Sequence, residues 1–275
     1  MADRTAASRR GLSEEVAGAG GHQIVERVPS DRQWLWRLIS FAVVFGGWEI
    51  AGRIPVSPSF PTFSATIVAL GEMLLDGTLA GAYAETVQPL ILGMLLCSVM
   101  AVLFGVGMGL SRTVEWFSLP IFIILQAAPM AALIPLITFL YGIGLTAKVV
   151  AVMLMSAPII VLNSYKGIRN TSPSLLDMSR SFMATRRQQI VKIILPSASG
   201  LIFAGLRLGV AAGVTGVVLA ELLITPTGVG DLITYYRSVA EYPHMFASIL
   251  SIIIFSSVAV TLLQRAETAL FRPET

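Results

Sequence analysis

The chain carries little that could perform covalent or metal chemistry. Its one cysteine, Cys97, sits in an apolar run, which excludes a disulfide framework and a thiolate metal site. Its two histidines, His22 and His244, lie far apart and offer no histidine cluster to a metal. Charge is scarce: 13% of the 275 residues are charged, against roughly 25% in an ordinary soluble domain. No G-x-x-x-x-G-K-[ST] phosphate loop occurs, which excludes a P-loop nucleotide site. Internal repeats and low-complexity tracts are also missing. The first 33 residues, Gly/Ala/Ser-rich and mixed in charge, do not read as a cleavable signal peptide.

What the chain has in abundance is apolar sequence. Hydrophobic residues make up 55% of it and the mean hydropathy is +0.78, in runs long enough to cross a bilayer, which takes about 20 residues as a helix. The pattern predicts an all-α integral membrane protein with about six transmembrane helices. The clearest is Thr86–Leu110, 25 residues without a charge. Trp116–Ala147, 32 uncharged residues, is too long for one crossing; "YGIGLT" (Tyr141–Thr146) is a turn signal that splits it. One helix is then expected over 118–141 and another over 146–164, with Lys148 snorkelling at its end. Met245–Gln264 is a further span, as are Trp34–Ile50, flanked by Trp anchors, and Leu201–Ile224, which contains Arg207 and Glu221. The stretch 54–85 reads as an extended segment followed by a short amphipathic helix at the interface, and 225–244 as turns around a short external helix.

Lys and Arg distribution orients the chain. Fifteen lie in the N-terminal tail to Arg37, in 111–117, in 165–196 and in the C-terminal tail; the alternate loops hold only Arg53, Lys148 and Arg237. The positive-inside rule then puts both termini and 165–196 in the cytoplasm. The expected organisation is a cytoplasmic tail over 1–33, disordered or surface-lying, a membrane domain over 34–265, and a cytoplasmic tail over 266–275.

The segment Tyr165–Pro196 is a polar island between apolar spans. Ser172-Pro173 is a helix start, with serine as cap and proline at the first position. Leu175, Ser179 and Phe182, with Leu176 and Met183 beside them, share a stripe by their spacing. A second start, Thr185-Arg186-Arg187-Gln188, fits a capping box. The island is therefore a helical hairpin bent near Met183-Ala184-Thr185. A basic loop obeying the positive-inside rule accounts for the charge; an exposed apolar stripe is better explained by a docking surface.

The run "SPSLLDMSRSFMATRRQQIVKIILPSASGLIFAGLRLG" (Ser172–Gly209) resembles the cytoplasmic signature of the membrane subunits of ATP-binding-cassette (ABC) importers. That signature is an acidic residue followed by two small ones, a later glycine, a hydrophobic stretch and Leu-Pro. "APMAALIPLITFLYGIG" (Ala128–Gly144), "NSYKGIRNTSPSL" (Asn163–Leu175) and "GLRLGVAAGVTGVVLAELL" (Gly205–Leu223) support it. The resemblance is to binding-protein-dependent type I permeases of the nitrate, sulfonate, taurine and bicarbonate subgroup, and covers roughly 34–265. Three departures stand out: Asp177 replaces the usual glutamate, Met178-Ser179 the common alanine pair, and Met183 the expected glycine. If the backbone there needs positive φ, a non-glycine residue costs on the order of 1 kcal/mol. Either the turn is built differently or Met183 contributes contact area.

The resemblance implies a type I importer permease fold with a cytoplasmic coupling helix, in a bacterial inner membrane. It implies two ATP-binding-cassette ATPase subunits as partners, with ATP and Mg bound there and no cofactor in this chain. It further implies a second permease subunit, in a homodimer in preference to a heterodimer, and an extracytoplasmic binding protein that delivers a small solute, with anions among the candidates. Asp177, Ser181, Phe182, Met183, Ala184, Thr185, Arg186 and Arg187 would couple to the ATPase. No catalytic, metal or nucleic-acid site is expected.

Candidate path residues follow from the cost of polar groups in a bilayer, about 2.5–3.5 kcal/mol for a charge at its centre. Glu221 reads either as an interfacial or structural hydrogen-bonding group, or as a gate or binding group near the outer mouth. Arg207 reads as structural, paired with a loop carboxylate or a lipid phosphate. The helix bearing Gln126, Pro129 and Pro135 is expected to kink, with Gln126 and Met130 facing either the path or a neighbouring helix. "GVGMG" and "GVAAGVTG" read as close-packing faces. An ion-coupled secondary transporter would need several buried carboxylates or paired broken helices, and the sequence offers one carboxylate. An intramembrane serine protease pairing Ser199 with His244 fails because the two fall on opposite sides.

Overall fold

The computed structural model describes residues 33–54, 57, 59–224 and 226–271. The N-terminal tail expected over 1–33 lies outside them apart from Gln33, as do His22 and the end of the C-terminal tail beyond Phe271. Two units are distinguished, Met1–Trp48 and Glu49–Thr275. Helix α1 (Gln33–Arg53) supplies the described part of the first, in which Trp34, Trp36 and Phe41 are exposed.

In the second unit, α2 (Phe63–Leu75) is the short helix expected within 54–85. Thr62 caps it by accepting from Ala65 N, and Glu49 accepts from Ser64 N at 2.9 Å while pairing with Arg53. After a glycine in the left-handed region (Gly77, φ 80), α3 (Thr78–Leu110) begins eight residues before the expected Thr86. At 1.5 Å per residue it is about 50 Å long, more than a bilayer core needs. Its first turns, with exposed Glu85, stand beyond the apolar run.

The helix expected over 118–141 is broken. α4 (Arg112–Ala127) and α5 (Met130–Tyr141) meet at 104°. The residue before a proline is pushed out of the α region, and Ala128 before Pro129 is extended, at φ −66 and ψ 140. Helix α6 (Leu145–Arg169) follows Gly142 and Gly144, both at positive φ, at the turn predicted from "YGIGLT". The island comprises α7 (Pro173–Ser181), α8 (Arg186–Gln189) and a π-helical turn (Ile190–Ile194) leading into α9 (Leu195–Leu223). Helix α10 (Val229–Ser238) is the short helix expected within 225–244, and α11 (Tyr242–Phe271) runs past both expected ends of the last span. Five described helices are long and apolar enough to cross a membrane, or six if the bent pair is one span.

Helix α6 is the central post, packed on α3 and α9. Glycines make this possible. A Cβ at Gly105 would lie 2.6 Å from Val161 O, and one at Gly209 would lie 2.6 Å from Ile160 Cγ1, so neither helix could approach as closely with a side chain there. Gly109, Gly213 and Gly216 make the same close approach, and Ser156 Oγ donates across to Gly209 O at 2.8 Å. Both glycine runs are thus packing faces, although Gly107 faces open space.

Candidate functional site

At the Lys/Arg-rich end of the bundle the island forms a compact hairpin whose turns are fixed by local hydrogen bonds. Pro173 opens α7, but Ser172 does not cap it with its side chain as expected; its hydroxyl lies 2.8 Å from that of Ser174 instead. The helix ends at Met183, whose φ of 52 is left-handed. Met183 N donates to Arg180 O at 2.9 Å and Ala184 N to Ser179 O at 3.0 Å, the paired bonds of a Schellman end. Glycine normally fills that position, so the turn has the ordinary geometry and Met183 bears its conformational cost.

The second start is the expected capping box: Thr185 N donates to Gln188 Oε1 at 2.8 Å and Gln188 N to Thr185 Oγ1 at 3.4 Å. The π turn has a cause in Pro196, which lacks an N–H and whose ring would press on the carbonyl four residues back. Widening lets Leu195 N reach Ile190 O. Opposite spacings separate the predicted stripe. Ser179 is buried, and half-buried Leu176 lines a cavity of about 250 Å³ with Ile168, Arg169 and Arg186. Phe182 and Met183 point away, at 80% and 91% exposure. Asp177, Ser181, Phe182, Met183, Thr185, Arg186 and Arg187 are all exposed around the bend and Ala184 is half-buried in it. Asp177 is engaged by Arg180 at 2.9 Å. Behind the hairpin, Thr171 and Ser197 hydroxyls meet at 3.1 Å, and Glu115 on α4 accepts from Tyr165 and lies 3.5 Å from Arg169 on α6.

The opposite end holds a second polar assembly. Glu221, near the end of α9, and Lys148, in the first turn of α6, form an ion pair at 2.9 Å with side chains 0% and 4% exposed. Lys148 therefore does not snorkel; its ammonium turns into the protein because a carboxylate waits there. Nζ also donates to Thr227 Oγ1 at 2.9 Å. The Thr86 hydroxyl, from α3, lies 2.9 and 3.0 Å from the two Glu221 oxygens, Gly230 N donates to Oε2 at 3.0 Å, and Val229 N donates to Thr86 Oγ1 at 3.0 Å. Full burial excludes interfacial snorkelling for Glu221, and its acceptors are filled as a structural hydrogen-bonding group's would be.

The other path candidates are elsewhere. Gln126 is exposed and Met130 half-buried, on either side of the break between α4 and α5, and neither is among Glu221's polar partners. Arg207 pairs with Glu267 on α11, so its partner lies on a helix, not on a loop as expected. No described cluster of three or more His, Cys, Asp or Glu residues could hold a metal ion. Sequence reasoning missed Lys148, Thr86, Thr227 and Glu267 as partners. One signal was present: a lone base and a lone acid, each in an apolar segment, are expected to pair.

These two assemblies sit on a bundle whose likeness to known proteins is extensive. Residues 93–272 match the family model described as binding-protein-dependent transport system inner membrane component. The chain belongs to this family. The permease is 28% identical over 254 residues to the Bacillus subtilis permease protein SsuC, whose name assigns it to aliphatic sulfonates, covering 90% of this chain and 91% of that one. It is 27% identical over 214 residues to the taurine transport system permease protein TauC of Escherichia coli, covering 75% and 78%. In structure, the permease matches a chain of the inward-facing MetNI methionine ABC transporter with a TM-score of 0.57 at 20% identity, over 70% of this chain and 94% of that one. A chain of an amino acid ABC transporter gives 0.57 at 17%, over 74% and 97%. The fold is that of a type I ABC importer permease. As a multi-pass inner-membrane component, the permease is the non-enzymatic membrane subunit of an importer; ATP hydrolysis belongs to a separate subunit, and a binding protein serves the same system.

Proposed function

We propose that the permease forms half of a translocation path for a small anionic solute, a sulfonate in the first instance, and that the hairpin at its basic end is the lever on which the ATPase acts. The exposed Phe182-Met183 tip carries this reading: an aromatic and a long apolar side chain held out by two hydrogen-bonded turns, ringed by Asp177, Ser181, Arg186 and Arg187. Exposed apolar groups with a polar rim are the composition of a docking surface. The positive-inside distribution supports placing the hairpin and both termini in the cytoplasm, facing two ATPase subunits that bind ATP and Mg, while this chain binds no cofactor. A second copy of the permease completes the path, and the binding protein approaches the opposite end. Gln126 and Met130, at the break between α4 and α5, are proposed to border the path; irregular backbone at membrane depth is tolerated where it lines a cavity or is buried in protein. The sulfonate reading is supported by the relatives' names. The buried carboxylate of Glu221 is neutralised by Lys148, which removes the motive for an ion-coupled carrier.

The test combines Phe182→Asp, Arg186→Glu and Arg187→Glu in the full-length permease co-expressed with its ATPase. The expected result is normal membrane insertion with loss of the co-purifying ATPase. Undiminished co-purification would remove the hairpin from the mechanism.

A further inference from the structure

We propose that Glu221, Lys148 and Thr86 form a clasp that fixes α10 to the transmembrane core, so that α10 and the core move as one body through the transport cycle. The three are positioning residues, and the proposal rests on the importer reading above. The Glu221 carboxylate touches groups from α3, α6 and the start of α10 while belonging to α9. It lies at the N-terminus of α10, where free N–H groups and the helix dipole favour an anion, and Lys148 compensates it from the other side. The 226–230 segment is pressed onto it. Gly228 is at φ 87 and a Cβ there would collide with the carboxylate, and one at Gly230 would lie 2.5 Å from Glu221 Cβ. Lys148 holds the same segment through Thr227.

The far half of α10 is fastened separately. Leu232 and Tyr236 pack on Ala69, Met73, Leu79 and Ala247, and the Tyr236 ring stacks on His244 with centroids 5.0 Å apart. Two hydrogen bonds, Ala240 N to Arg237 O and Glu241 N to Tyr236 O, then turn the chain at Ala240 (φ 61) into α11. Helix α10 is thus secured to α3, α6 and α9 at one end and to α2 and α11 along its length, and it cannot shift alone without opening the clasp. Tyr235 and Val239, 56% and 49% exposed, remain on its free side.

Double electron–electron resonance between spin labels at Tyr235→Cys on α10 and Leu208→Cys on α9 tests this in the assembled permease–ATPase complex in lipid nanodiscs. Doubly labelled permease is diluted with an excess of unlabelled permease before assembly, so that the distance within one protomer is read; in the otherwise wild-type protein we expect that distance to be narrow and the same without nucleotide and with ATP–vanadate trapped. Thr86→Val keeps the side chain's shape and removes the hydroxyl. It should broaden that distance and speed amide exchange across 229–238 by about tenfold, with Thr86→Ser restoring both. A wild-type distance that changes with nucleotide, or a Thr86→Val protein with unaltered distance and exchange, would overturn the clasp. If no ATPase assembles at all, the importer reading fails instead, and the nucleotide-free comparison of wild type with Thr86→Val still decides the clasp.

Discussion

The two ends of the bundle solve the same problem, polar groups at the edge of an apolar protein, in opposite ways. At the basic end the hairpin satisfies itself locally: its defining bonds join residues three to five apart, and its charged side chains stay in solvent. At the other end nothing is local. Thr86, Lys148, Glu221 and Gly230 come from four helices, and the bonds of the assembly span up to 143 residues. An exposed, self-contained element can be altered without unfolding the bundle and is suited to dock a moving partner. A buried, shared element cannot be altered cheaply and is suited to hold helices in register.

That contrast predicts a graded series of effects. The largest is at the clasp. Glu221→Ala leaves the Lys148 ammonium buried without its counter-charge, which costs about 3–5 kcal/mol and should sharply lower thermal stability in detergent. Lys148→Met combined with Glu221→Leu should lose much less than the two single changes together; additive losses would break the comparison. Next is the packing face. Gly105→Val drives a side chain against Val161 O and Ser164 Cβ, and over-packing of this kind costs about 1–3 kcal/mol, read as a lower melting temperature.

Smaller effects are expected at the hairpin. Met183→Gly removes a left-handed methionine and should stabilise the turn by about 1 kcal/mol, seen as slower amide exchange at Ala184, while weakening ATPase binding because the exposed side chain is gone. Stabilisation with unchanged binding would mean that Met183 supplies no contact. The smallest effect is at the Asp76 turn, where donation from Thr78 N at 2.8 Å holds the carboxyl below its usual range. A folded-state pKa below the unfolded one contributes stability above the ordinary carboxylate range, lost as pH falls through the lowered value. Protection of the Thr78 amide, its exchange taken relative to the free-peptide rate at each pH, should therefore fall on acidification in the wild type and be low at every pH in Asp76→Ala.

The same contrast explains what could be read in advance. The capping box at Thr185 and the "YGIGLT" turn are short-range patterns, and the structure shows both; the glycine-type position at Met183 came from the family resemblance, and its positive φ settles which of the two readings of that turn holds. The break between α4 and α5 was legible only as a kink, because Pro129 dictates that Ala128 leave the helix but not the angle at which α5 departs. Lys148 was misread because an apolar helix end beside a lysine looks the same whether the ammonium reaches water or a carboxylate 73 residues away. Glu221 could be nominated but not placed, since its surroundings are tertiary.

The most direct test of the docking claim sets the two ends against each other in one experiment. Photo-reactive benzoylphenylalanine is placed either at position 182 or at position 235 of the permease, and the assembled complex is irradiated. The account predicts an ATPase adduct from position 182 and none from position 235. An adduct from 235, or none from 182 in a complex that retains its ATPase, would contradict it.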